Sequence, residues 1–219
     1  MKGKTIRYAI FILLSVFLSG NISFGQISGD ESLHRLLEGN KRYLSGKLKE
    51  KDFKQDRCRQ IAGQNPYAII LSCADSRVPP EIIFDEELGE LFVIRVAGNV
   101  IDDVTLGSIE YAAGHLKVPL LLIMGHTSCG AVKAAFDGGR FSKGVESIAS
   151  RIRPAVNKAR TQANGEQKQL EQAVKNNVVD QLKECIRASG ELKELEHAGK
   201  LKIVGGLYNI GNGRFSLLK

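Results

Sequence analysis

The 219-residue sequence contains no tryptophan and only two methionines, and aromatic residues make up 6% of it. Proline is scarce, at five residues, so the helices and strands of one domain can run without frequent interruption. Four cysteines are far too few for a small disulfide-stapled scaffold. No basic stripe is interleaved with aromatics; lysines and arginines alternate with acids, which argues against nucleic-acid binding despite the net charge of +7. No internal repeat or low-complexity tract is visible. The longest apolar run, "AIFILLSVFL" at 9–18, is too short to span a bilayer comfortably.

That run has a context. Lys2, Lys4 and Arg7 precede it without an acid, and Ser23 and Gly25 stand at the small-residue positions of a cleavage site before Gln26. This is the pattern of a secretory signal peptide over residues 1–25, leaving a single domain at 26–219. The expectation is an exported protein, periplasmic in a cell with two membranes. The absence of a cysteine near the cleavage point argues against a lipid anchor, and an uncleaved N-terminal anchor is the alternative.

With 43% hydrophobic and 25% charged residues, the rest reads as an ordinary globular domain. The spacing of Leu33, Leu36, Leu37 and Leu44 predicts an amphipathic helix over 31–45, capped by Asp30 or Ser32, which opens an N-terminal helical arm at 26–66. Four apolar runs mark buried strands, at 67–72, 90–98, 118–126 and 201–210. A helical pattern, "TLGSIEYAAGHLK", lies between the second and third, and a long polar helical region, about 144–199, between the third and fourth. Strands alternating with helices predict an α/β fold with a central, mostly parallel sheet flanked by helices. Asn212-Gly213 predicts a tight turn leading to a last antiparallel edge strand.

The chemistry concentrates at strand ends. The first strand runs into "SCADSRVPPE", which places Cys73, Asp75 and Arg77 at alternate positions before Pro79 and Pro80. The third ends in "GHTSCGAVKAAF", with His126 and Cys129 three apart, near one face of a helix if one begins at about Thr127. In a parallel sheet those ends can converge on one crevice. Two thiolates and an imidazole suit Zn²⁺, and three protein ligands leave its fourth position open, as in catalytic sites. Extended backbone would point Asp75 and Arg77 the same way as Cys73. Arg77 can then hold Asp75 ionised beside the metal, or Asp75 can bind the metal and close the site. Spacing alone also admits a structural metal, a Cys73–Cys129 disulfide or buried inert thiols.

The stretches "SCADSRVPPEIIFDEELGELFVIRVAGNV" and "GSIEYAAGHLKVPLLLIMGHTSCGAVKAA" resemble the β-class carbonic anhydrases, nearly without gaps from Tyr67 to Ala135 and more loosely outside it. The motif pair C-x-D-x-R and H-x-x-C about fifty residues later is highly specific. The resemblance implies zinc ligands at Cys73, His126 and Cys129, one zinc per subunit, and a catalytic dyad of Asp75 and Arg77. It implies reversible hydration of CO₂ to bicarbonate and a proton by zinc-bound hydroxide. It also implies a homodimer or homotetramer, with N-terminal helices embracing the neighbouring subunit and CO₂ reaching the zinc through an apolar cleft at the dimer interface. Val78, Phe84, Val100 and Tyr111 are candidate cleft walls, although ordinary core packing accounts for each of them better. His34, His115 and His197 read as surface residues, and none stands out as a proton shuttle.

Some members of the family carry an inhibitory bicarbonate pocket built from a tryptophan, an arginine and a tyrosine. Arg95 and Tyr208 match the last two, but Ile70 occupies the tryptophan position, so the bicarbonate-inhibited form is expected to be absent or weak. Cys58 and Cys185 are candidates for a disulfide or for inert thiols. The alternatives in function are the same fold acting on carbon disulfide or carbonyl sulfide, and a non-catalytic zinc or redox module.

Overall fold

The computed structural model describes residues 27–218; the leader-like segment 1–25 lies outside the described residues. Helix α1 (Gly29–Ser45) begins the described chain, and α2 (Phe53–Arg59) follows in the charged segment. Next come β1 (Ala68–Ser72), the single turn α3 (Pro80–Ile83), β2 (Leu91–Arg95), α4 (Asp103–Glu110) and β3 (Leu120–His126). The chain continues through α5 (Gly130–Asp137), α6 (Lys143–Gln162), α7 (Glu166–Ala188), α8 (Gly190–His197), β4 (Lys202–Tyr208) and β5 (Phe215–Leu217). Among the described residues no helix is long and apolar enough to cross a membrane.

The five strands form one sheet in the order β2-β1-β3-β4-β5, parallel except for the antiparallel β4–β5 pair. Every residue of β1 and β3 is buried, which is why "AIILS" and "LLLIMGH" are continuously apolar rather than alternating. β2 is an edge strand and half-buried. Register places Ser72 of β1 beside Met124 of β3, so the two strands release their chains at nearly the same level. Residues just past both ends are thereby brought together.

The predicted last edge strand is present, but the turn before it is longer than the two residues expected. The Gly213 amide donates to the Asn209 carbonyl at 2.8 Å, and the Asn209 amide donates to that of Arg214 at 2.9 Å. The long polar region resolves into three helices, with Gly165 (φ +84°) between α6 and α7, and Ser189 capping α8. The helical pattern after β2 starts with a capping box of Asp102 and Thr105 and widens into a π-turn at Tyr111–His115.

Helix α1 departs from expectation at its cap. The cap is Ser28, whose Oγ accepts from the Glu31 amide at 3.1 Å, while Asp30 and Ser32 lie inside the helix. Leu33 and Leu36 are buried, whereas Leu44 is exposed. α1 is seated on its own chain. Asn40 Nδ2 donates to the carbonyls of Ile83 (3.1 Å) and Gly213 (3.0 Å), and its Oδ1 accepts from the Phe215 amide (2.9 Å). Arg42 pairs with buried Asp85, and Arg35 with Glu86 and Glu90.

Candidate metal centre

Cys73 is the first residue past β1, and His126 is the last of β3. The helix expected near Thr127 begins instead at Gly130. Thr127 and Ser128 form a connection in which Ser128 takes a left-handed conformation (φ +56°), and Cys129 is the N-cap of α5. The turn folds Cys129 back toward the strand ends. The Cys73, His126 and Cys129 ligand atoms all lie within 4.8 Å of one another, and all three residues are buried. Among the described residues this is the one such cluster of His, Cys, Asp or Glu.

The donor set fits a metal. His126 Nδ1 lies 2.9 Å from the Thr127 carbonyl oxygen, which can only accept, so Nδ1 carries the proton and Nε2 presents a lone pair. That Nε2 is buried without a hydrogen-bond partner, an orphan that a cation would satisfy. Cys73 Sγ accepts from the Gly98 amide at 3.2 Å. The Cys73 thiol is held well below its usual value, chiefly by the hydrogen bond from Cys129, with burial opposing and His126 and the Gly98 and Asp75 amides assisting. The Cys129 thiol is pushed up through that same bond and by burial. Both thiols are free, so the Cys73–Cys129 disulfide reading does not hold. Cys58, exposed on α2, and Cys185, buried on α7, are free as well, and the disulfide considered for them is absent.

Asp75 and Arg77 come together by a route different from the extended one expected. The chain leaves β1 after Ser72 and turns, with the Val78 amide donating to the Asp75 carbonyl at 3.2 Å. Asp75 Oδ1 accepts from the Arg77 amide and Nε, both at 2.9 Å, and Oδ2 accepts from Nη2 at 2.7 Å. The guanidinium holds the Asp75 carboxyl well below the usual range. Arg77 Nη2 also reaches the Ser128 carbonyl at 3.5 Å, joining the pair to the turn between His126 and Cys129.

Other candidates fall outside the cluster. Val78, Phe84 and Val100 are buried core, with Phe84 edge-on to Phe215, while Tyr111 is exposed and stacks on His115. His34, His115 and His197 are all exposed. Ile70 is fully buried in β1, and the Tyr208 hydroxyl lies 3.3 Å from that of Tyr43. Arg95 has a role that the sequence did not reveal: Nε donates to the Cys73 carbonyl at 3.1 Å and Nη2 to the Asp75 carbonyl, clamping the segment that carries both side chains. A cavity of about 550 Å³ borders Cys129, with Val132, Leu170, Val174 and Leu207 among its walls.

A mostly parallel sheet with a buried Cys-His-Cys cluster at its carboxyl edge, three donors of the kind zinc prefers, defines an α/β protein with a candidate zinc centre. Comparison with known proteins narrows this. A family profile described as carbonic anhydrase matches residues 68–215. Carbonic anhydrase 2 of Mycobacterium tuberculosis is 41% identical over 184 residues, covering 82% of this chain and 87% of the relative. Among solved structures, the Coccomyxa β-carbonic anhydrase in complex with acetazolamide has 28% identity and a TM-score of 0.69, covering 85% of this chain and 86% of its own. One of two tetrameric β-carbonic anhydrases from Sordaria macrospora has 24% identity and a TM-score of 0.70, covering 86% and 97%, and shows the same fold. The chain belongs to the β-class carbonic anhydrase family, whose members are zinc enzymes.

Proposed function

We propose that the chain hydrates CO₂ reversibly to bicarbonate and a proton at a zinc held by Cys73, His126 and Cys129, with Asp75 and Arg77 orienting the attacking water. The observation that carries this reading is the buried ligand cluster with its orphaned His126 Nε2, set beside an arginine-paired carboxylate. Zinc, when bound, supplies the Lewis acidity that lowers the pKa of water to about 7.

The remaining work belongs to the protein. Thr127 fixes the His126 tautomer through Nδ1, leaving Nε2 as the ligand atom. The Gly98 amide supports the Cys73 sulfur in its thiolate form. Asp75, kept ionised by Arg77, accepts a hydrogen bond from the attacking water and aims its lone pair at carbon. Its two oxygens are engaged by Arg77, which favours a carboxylate that stays off the metal. Buried Ile70 and the engagement of Arg95 with the Cys73 and Asp75 carbonyls support the absence of a bicarbonate-inhibited form.

Stopped-flow CO₂ hydration by the zinc-loaded protein, with and without a chelator, tests the reading. A rate that rises with pH and is lost on chelation is expected. A folded, zinc-bound protein without CO₂ hydration counts against it, and carbonyl sulfide and carbon disulfide are then the substrates to assay. Assembly as a homodimer or homotetramer draws support from the exposed apolar Phe53, Ile61 and Val104 and from the free edge of β2. Sedimentation is expected to give at least a dimer; a fully active monomer would count against this. The leader-like first 25 residues support export to the periplasm, and a mature mass beginning at Gln26 is the check.

A further inference from the structure

We infer that Asn177 is a positioning residue of the metal site, acting on Cys73 through the backbone of Gly98. It lies on α7, far from the ligands in sequence, and is 1% exposed. Its Nδ2 donates to the Gly98 carbonyl at 2.8 Å. Its Oδ1 accepts from Gln181 Nε2 at 3.3 Å, and Gln181 Oε1 in turn accepts from the Ile101 amide at 2.7 Å. Two side chains one helical turn apart thus grip both ends of the segment 98–101. At the near end of that segment, the Gly98 amide donates to Cys73 Sγ.

Gly98 needs such a grip. It sits at φ +69°, where side chains are strained, and a Cβ there would approach Ile152 Cδ1 to 2.6 Å, so glycine is strongly favoured. Glycine is also the residue with the most backbone freedom, so the amide that supports the thiolate cannot be held by its own residue. The amide of Asn177 supplies the restraint, and Gln181 restrains Asn177. Outer partners of this kind orient a ligand atom and set how much charge the sulfur gives to a metal.

The inference rests on the zinc reading above, and the zinc content of the unaltered protein tests that reading separately. Asn177→Ala is expected to weaken zinc binding about tenfold in competition with a chromophoric chelator. In the Co²⁺-substituted protein it is expected to shift the thiolate-to-cobalt charge-transfer band. Cys185→Ala, which removes a buried group two turns further along α7, should leave both readouts at the unaltered values. If the unaltered protein binds zinc and Asn177→Ala matches it in affinity and band position, the inference is overturned. It is overturned equally if Cys185→Ala moves the band by as much, because the effect would then be general loosening of α7. Should Asn177→Ala not fold, Gln181→Ala relaxes the same grip from one step further out. A smaller shift of the same band supports the inference, and an unmoved band overturns it.

Discussion

At the scale of single residues, the site combines three kinds of constraint. Cys73, His126 and Cys129 provide donor atoms, Asp75 provides a fixed negative charge, and Arg77 and Arg95 hold the turn between them. Separating metal binding from catalysis is therefore possible with one substitution. Asp75→Asn keeps the size of the side chain and none of the ligand atoms change, so zinc should remain at one per chain by elemental analysis. CO₂ hydration is expected to fall by about 100-fold or more, since the amide presents a donor where an ionised acceptor stood. Unchanged turnover would remove Asp75 from the reaction. His126→Ala has the opposite signature: zinc is lost, and hydration with it. The Cys73-His126-Cys129 cluster and the Asp75–Arg77 pair were legible in the sequence because C-x-D-x-R and H-x-x-C are short local patterns. Arg95, Gly98 and Asn177 were not, because each acts through a backbone group distant in sequence, and no local pattern reports that.

At the scale of elements, the mostly parallel run of the strands and the antiparallel edge strand followed from apolar runs alternating with helical ones and from the Asn212-Gly213 turn, whereas the order β2-β1-β3-β4-β5 did not. The errors fell where a side chain or a turn chose between neighbouring options. Ser28 caps α1 in place of Asp30 or Ser32, and Ser128 in a left-handed conformation delays α5 to Gly130. α1 is positioned by close fit as much as by its leucines. Gly39 lies against α3 and the residue after it, and a Cβ at this position would overlap the Phe84 carbonyl oxygen. Backbone cannot yield as a flexible side chain does. Gly39→Ala should therefore destabilise the fold by roughly 1–3 kcal/mol despite the better helix propensity of alanine. Urea unfolding measures it; an equal or higher midpoint would mean that α1 can shift without loss.

At the scale of the whole molecule, a buried acidic cluster ties the N-terminal region to the sheet. Asp85 and Glu86 are covered by Arg35 and Arg42 from α1 and by Lys49 and Lys51 from the segment after it. Burial alone would raise Asp85, but Arg42, the Lys49 amide and Lys51 outweigh it and hold that carboxyl below its usual value. Asp85 thus contributes stability that is present above about pH 4 and lost in acid. Glu86 behaves oppositely. Burial, then the hydrogen bond shared with Glu90, pushes it up to about 7 from an ordinary value of 4.5. Its contribution is fully present below the unfolded value and is lost as pH rises through about 7. Glu86→Gln should remove a fall in stability on the order of 1–3 kcal/mol between about pH 5 and 8, while leaving the acid limb in place. Thermal melts of both proteins across pH 3–9 test this; parallel curves would show that Glu86 is ionised throughout.

The amino-acid sequence by itself determined which atoms can bind a metal, that they follow buried strands, and that the strands run mostly parallel. Residue type and spacing along the chain are enough for that, because ligand chemistry and hydrophobic periodicity are local properties. Tertiary structure alone decided that β1 and β3 release their chains side by side, that the thiols stay unbridged, and that α1 rests on its own chain. It also decided that Asn177 reaches Gly98. These facts depend on distances between residues far apart in sequence, which are set by how whole elements pack and which buried polar groups they leave to be satisfied.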